Sequence, residues 1–194
     1  MVMYHEAARE LQDAFGSRDL ADRLEARLRR SAFTDEDAEF IGAQRFFFLA
    51  SADAEGRPDC SFKGGAAGFV RVLAPDLLAF PDYDGNGMFK SLGNIRANPH
   101  VGLLFIAMED RPRRLRVNGA AVVALDDPRL AEFEGAQALV RVTPVDIFPN
   151  CPRNIPRMRL EEESQYVPRK GVARVEPGWK SFEHFADVVP PRRA

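Results

Sequence analysis

The stretch FPDYDGNGMFKSLGNIRANPHVGLLF, Phe80 to Phe105, decides how this chain is read. Its two ends are apolar and strand-like. The join between them carries more small and hydrogen-bonding residues than a plain turn requires. Asp82 to Gly87 reads as irregular backbone, with Asn86 as N-cap of a helix over 87–97. In that helix Lys90 and Asn94 stand four apart on one face, and Ser91 lies close to the same side. Backbone N–H groups at a helix start are unpaired and carry partial positive charge. With a Lys ammonium, a Ser hydroxyl and an Asn amide beside them, they make a seat for phosphate. Gly85, Gly87 and Gly93 let a ligand approach the backbone closely. Read alone, the stretch also fits an ordinary turn followed by a capped helix.

On either side of this stretch the pattern is one of short strands. Phe46 to Ala50 is a buried-looking run, and Asp53 to Gly56 supplies turn chemistry before a strand at 58–63. Gly64-Gly65-Ala66-Ala67-Gly68 suits no regular element. Phe69 to Leu73 and Leu77 to Phe80 form a hairpin around Ala74-Pro75-Asp76. Val101 to Ala107 and Leu115 to Leu125 follow as strands, then a short helix near 127–133 and a last strand at 138–143. Six or seven strands joined by hairpins, with one helix inserted, predict an antiparallel barrel. Helices do not alternate with strands, which disfavours parallel βαβ winding.

Residues 4–30 read as helix, with Leu20, Leu24 and Leu28 in one stripe that predicts packing onto the domain or a partner subunit. Thr34-Asp35-Glu36-Asp37 reads as a capping box opening a second helix over 35–43, with Asp37 in place of the usual Glu. The expected organisation is one domain over 1–194: a helical extension to 43, a barrel over 44–145, and a Pro- and Arg-rich segment from 146 that wraps the surface or a partner.

Composition narrows the function. The 194 residues are 45% hydrophobic and 29% charged with a net charge of −2, an ordinary globular balance with no electrostatic footprint for nucleic acid or an anionic membrane. The charged start MVMYHEAARELQDAF has no apolar core of a secretory signal, and no apolar run reaches membrane-spanning length. Cys60 and Cys151 lie far apart, which fits a reducing cytoplasm better than a disulfide scaffold, though pairing in space stays open. The three histidines match no metal-ligand spacing, so no metal is expected. Cys151 has Arg153 two residues on, which fits either a reactive thiol or a loop cysteine.

Further cations interrupt apolar strands. Lys63 ends a strand beside Gly64-Gly65. Arg71 shares a face with Phe69 and Leu73, and Arg116 points with Arg114 and Asn118. Each fits a solvated face when taken singly; together they fit an anionic ligand with a flat ring system.

At this point the sequence resembles a known family. Gly56-Arg57-Pro58…Lys63, Gly68-Phe69-Val70-Arg71-Val72, Ala79-Phe80-Pro81-Asp82, Lys90-Ser91, Asn98-Pro99…Val101-Gly102-Leu103-Leu104-Phe105 and Leu115-Arg116-Val117-Asn118-Gly119 look like the pyridoxamine 5'-phosphate oxidase-like FMN-binding split barrels. The likeness covers about residues 40–145, and Phe148-Pro149-Asn150-Cys151-Pro152-Arg153 is similar to a Cys-Pro-Arg/Lys segment of one subgroup. The resemblance implies a mainly β (α+β) fold: a six-stranded antiparallel split β-barrel with N-terminal and peripheral helices. It implies a homodimer with FMN at the subunit interface. Lys63, Lys90 and Ser91 map onto the family's phosphate positions, with Asn94 beside them. Arg71, Val72, Phe80, Pro81 and Asp82 would flank the ring, Arg116 would lie near it, and Asn86 would shape the loop.

The implied function is an FMN-binding oxidoreductase acting on a small molecule or with a nicotinamide donor. The alternative is a flavin, haem or deazaflavin binding protein without turnover, a redox sensor or cofactor store. The end of the chain, Gly178-Trp179-Lys180-Ser181-Phe182-Glu183-His184-Phe185, lacks the Arg-Leu-His-type and Trp-Arg-Leu-type segments of authentic pyridoxamine phosphate oxidases. That departure argues against pyridoxamine phosphate as substrate.

Overall fold

The computed structural model describes residues 3–191. The outermost ends of the predicted extension and wrapping segment, residues 1–2 and 192–194, lie outside the described residues. The N-terminal region forms two helices rather than the single predicted one, α1 (Glu6–Ala14) and α2 (Arg18–Leu28). They part at Gly16, whose φ of +62° is a left-handed conformation that ends helices. Leu20, Leu24 and Leu28 remain exposed, so within the protomer this stripe does not pack onto the domain. The reason lies at the end of α2. There Arg29 binds Asp146, and Arg30 pairs backbone to backbone with Ile147, so the helix meets the sheet through its last turn rather than its leucines.

The next helix, α3 (Asp35–Ala43), opens on the predicted capping box. The Thr34 hydroxyl accepts from the Asp37 N–H at 3.2 Å, and the Asp37 carboxylate accepts from the Thr34 N–H at 3.0 Å. Asp37 is buried, which alone would raise its pKa. The Arg30 guanidinium and the Thr34 N–H bonded to it together more than offset this and hold it below the usual range.

Seven strands follow: β1 (Phe46–Ala52), β2 (Pro58–Gly64), β3 (Arg71–Ala74), β4 (Leu77–Tyr83), β5 (His100–Ala107), β6 (Arg113–Ala124) and β7 (Ala136–Asn150). The helix α4 (Lys90–Ala97) sits between β4 and β5. All seven belong to one antiparallel sheet in the order β2-β1-β5-β6-β7-β4-β3, so the count is seven rather than six while the fold class stands. β4 extends to Tyr83, so Asp82 is a strand residue and not loop. The last strand continues to Asn150, well past 143. The predicted helix near 127–133 is only a 3₁₀ turn, Leu130–Glu132.

The sheet is rolled around its own core. Phe47 of β1 and Phe80 of β4 are far apart in strand order, yet their rings meet at 4.9 Å, and Phe105 of β5 lies 5.2 Å from Phe47. Leu49, Leu78, Leu103, Leu115, Val117, Val140 and Ile147 are fully buried in the same cluster. Burying such side chains contributes about 1.5–3 kcal/mol each. Gly119 permits the tightest approach, since a Cβ there would stand 2.3 Å from the Thr143 carbonyl oxygen. No helix among the described residues is long and apolar enough to cross a membrane. Beyond Cys151 the described chain holds one 3₁₀ turn, Gly178–Ser181. It lies along its own surface through Met158 N–H to Met108 O and the ion pairs Arg45–Glu163 and Lys180–Asp84.

Candidate functional site

The pairing of β1 with β2 sets up the site. Phe47 opposes Lys63, Leu49 opposes Ser61 and Ser51 opposes Asp59, so these β2 side chains share the inner face with core residues. β2 is an edge strand, and there the inner face opens toward β4 and α4. A cleft of about 330 Å³ forms at that opening, lined among others by Ser61, Lys63, Asp82, Asn86, Lys90, Ser91 and Gln137. Five of the predicted site residues therefore come together.

The start of α4 differs from the expectation. Its N-cap is Phe89, in the left-handed region at φ 48° and ψ 29°, and no side chain caps the helix. Asn86 instead closes the preceding loop, its Oδ1 accepting the Met88 N–H at 3.0 Å. The first-turn amides of α4 are thus left without a side-chain acceptor, next to Lys90 and Ser91. That donor set fits the phosphate end of a nucleotide.

Gln137 enters the cleft by a β-bulge. Asp82 pairs with Ala138 and Tyr83 with Ala136, which leaves Gln137 as the extra residue on β7. Its Nε2 donates to the Asp82 carboxylate at 2.8 Å and to the Tyr83 carbonyl at 3.1 Å. Burial pushes the Asp82 carboxyl up, against the opposing pull of this bond and of the Lys63 charge. Burial likewise raises the Tyr83 phenol to about 12.

The remaining predicted residues lie elsewhere. Arg71 stacks over the Phe133 ring at 4.3 Å and donates to the Glu132 and Gly68 carbonyls, fastening β3 to the 3₁₀ turn. Val72 packs against the main core, and Phe80 and Pro81 are buried in it and beside β7. Asn94 is buried and donates to the Ser51 hydroxyl at 3.1 Å, away from the cleft. Arg116 is on the outer face of the sheet, in the cross-strand row Phe62–Phe48–Leu104–Arg116–Phe148. That face carries an aromatic cluster: Phe46 stacks on Phe62 at 5.4 Å, and Phe48 meets Phe46 edge-on at 5.9 Å.

Sequence reasoning did not find Ser61, Phe89 or Gln137. Period-2 alternation from Lys63 would have reached Ser61. Nothing local marks a bulge at Gln137 or a left-handed Phe89. Cys60 and Cys151 are both free and exposed, and the Arg153 backbone N–H, with its guanidinium, holds the Cys151 thiol below its usual range.

The family model described as pyridoxamine 5'-phosphate oxidase matches residues 33–177. No curated protein matches the sequence significantly. A Lactobacillus delbrueckii protein assigned provisionally to pyridoxamine 5'-phosphate oxidase is similar in structure at 25% identity and TM-score 0.49, over 61% of this chain and 95% of that one. HutZ, the heme storage protein from Vibrio cholerae, is similar at 19% identity and TM-score 0.43, over 57% and 88%. An FMN-binding protein from Syntrophomonas wolfei is similar at 9% identity and TM-score 0.45, over 73% and 97%.

Proposed function

The chain belongs to the pyridoxamine 5'-phosphate oxidase family, and from that premise we propose that it is a homodimeric flavoprotein that binds flavin mononucleotide and performs an oxidoreduction on a small organic molecule. The observation that carries this reading is the meeting of Lys63, Lys90, Ser91 and the uncapped amides of α4 in one cleft. Lys63 and Lys90 supply charge to a phosphate dianion, and Ser91 and the helix amides supply directed donors. Asp82 shares the cleft, where the Gln137 amide holds its carboxylate at 2.8 Å. When bound, the flavin supplies hydride or electron transfer, and the protein's part is position and charge.

The proposed dimer rests on Arg116, which the family resemblance puts near the flavin. It lies on the sheet face opposite to Lys63, so it reaches a flavin in this cleft only from a second copy. Phe46, Phe48, Phe62 and Leu104 offer that copy an apolar surface. Sedimentation tests it: a dimer is expected, and Phe62→Asp should yield a folded monomer.

The test of the function is spectroscopic. Protein incubated with FMN and then desalted should keep the flavin bands, which should bleach on adding NADH or NADPH. Bands that persist under both donors mark a binding protein without turnover. A protein that keeps no flavin overturns the reading.

A further inference from the structure

The cleft does not end at the loop before α4. On the far side of residues 84–89 lies a second and larger cavity of about 760 Å³. Gly85, Asn86, Gly87, Met88, Phe89 and Gln137 line both spaces, so one thin wall separates them. Gly87, at φ +74° with open space where a Cβ would stand, leaves that wall low.

The outer wall of the chamber is the C-terminal segment. Trp179 and Phe185 meet edge to face at 6.0 Å, and both line the cavity with Val188 and Val189. Lys180 fixes this segment to the loop through its ion pair with Asp84, while its ammonium lies 6.0 Å from the Trp179 ring. The chamber is thus aromatic and apolar with polar groups at its inner edge. Gln137 spends its amide N–H on Asp82 and Tyr83, which leaves its amide oxygen as an acceptor. A cavity of this size and lining suits a planar heterocycle that stacks and offers an amino group.

Position decides what that heterocycle belongs to. The chamber adjoins the loop that leads into the phosphate seat, since Asn86 to Phe89, just ahead of Lys90 and Ser91, line both spaces. A molecule exchanging a hydride with a flavin must reach the ring, whereas this space opens at the phosphate end. We propose that the bound flavin continues past its phosphate: the cleft and the chamber together hold flavin adenine dinucleotide, with the adenine against Trp179 and Phe185. This rests on the flavin reading above and extends it from a mononucleotide to a dinucleotide.

Binding of FAD, FMN and NADPH to the full chain, followed by fluorescence, tests the proposal. Wild-type protein should bind FAD about tenfold or more tightly than FMN, the gain expected from stacking one base on aromatic side chains. Trp179→Ala with Phe185→Ala should bring FAD down to the FMN level and leave FMN unchanged. Phe182→Ala, in the same segment but outside the cavity lining, should change neither. FMN bound as tightly as FAD, or an FAD preference that survives the double substitution, overturns the proposal and leaves the phosphate seat standing. A double substitution that weakens NADPH and not FAD assigns the chamber to a nicotinamide donor and also overturns it. Failure to bind either flavin removes both readings.

Discussion

Gln137 bridges the end of β4 by donating one amide nitrogen to the Asp82 carboxylate at 2.8 Å and to the Tyr83 carbonyl at 3.1 Å. The contact exists because Gln137 is the extra residue of a bulge, which turns its side chain to the cleft instead of leaving it on the regular pleat. Asp82 is thereby held in a partly buried place where its charged form is disfavoured.

That burial predicts a pH dependence. As pH rises past the ordinary Asp range, the unfolded chain releases its proton first. Stability is then lost as pH rises through the higher folded value. Asp82→Asn removes the loss. Urea midpoints should show the difference between the two proteins moving in the variant's favour as pH rises above the ordinary Asp range, and keeping that shift at higher pH. Asp37 and Asp127, whose carboxyls are held low by Arg30 and Arg141, titrate in the opposite sense in both proteins and cancel in the difference. A gain that does not grow with pH would contradict the assignment.

The phosphate seat is tested by Lys90→Ala with Ser91→Ala. Each charge-assisted hydrogen bond contributes about 1.5–3 kcal/mol. The pair together should therefore cost well over tenfold in FMN affinity by fluorescence titration. Unchanged affinity in a folded double variant removes these residues from the site.

Asn94 should behave differently, although sequence places it on the same helix face as Lys90. It is buried, and its amide donates to the buried Ser51 hydroxyl, tying α4 to β1. Asn94→Ala should cost about 1–3 kcal/mol of stability in urea, the usual penalty for stranding a buried polar partner. FMN affinity of the folded variant should stay within a few-fold of wild type. A large loss of affinity without loss of stability would return Asn94 to the ligand.

These contrasts mark what local sequence could convey. Strands and helix starts were legible because apolar runs, turn chemistry and caps are local, as in Phe46 to Ala50 or Thr34 with Asp37. Lys63, Lys90 and Ser91 were legible because cations and hydroxyls beside glycines stand out. Arg71 was not, since its partner Glu132 is 61 residues away and nothing in Phe-Val-Arg-Val-Leu reports it. Gln137 was hidden for the same reason, because a bulge is a property of two strands in register. The break at Gly16 was visible as a glycine and was outweighed by the helical pattern around it.

Phe89 supplies the last test. A bulky L-residue in the left-handed region costs about 1–2 kcal/mol, and nothing caps the helix in return. Its side chain is 53% exposed, so truncation sacrifices little burial. Strain held at a position that borders both the cleft and the aromatic chamber is the pattern expected where ligand contact, not folding, selects the residue. Phe89→Gly relieves the strain, offset in part by about 0.5–1 kcal/mol of added unfolded-chain entropy. Phe89→Ala keeps the strain and loses the ring. The glycine variant should therefore be the more stable of the two by up to about 1 kcal/mol in urea. Both variants should bind flavin more weakly than wild type. Equal stability of the two would mean that residue 89 is not strained as placed, and full flavin affinity in both would detach the ring from the ligand.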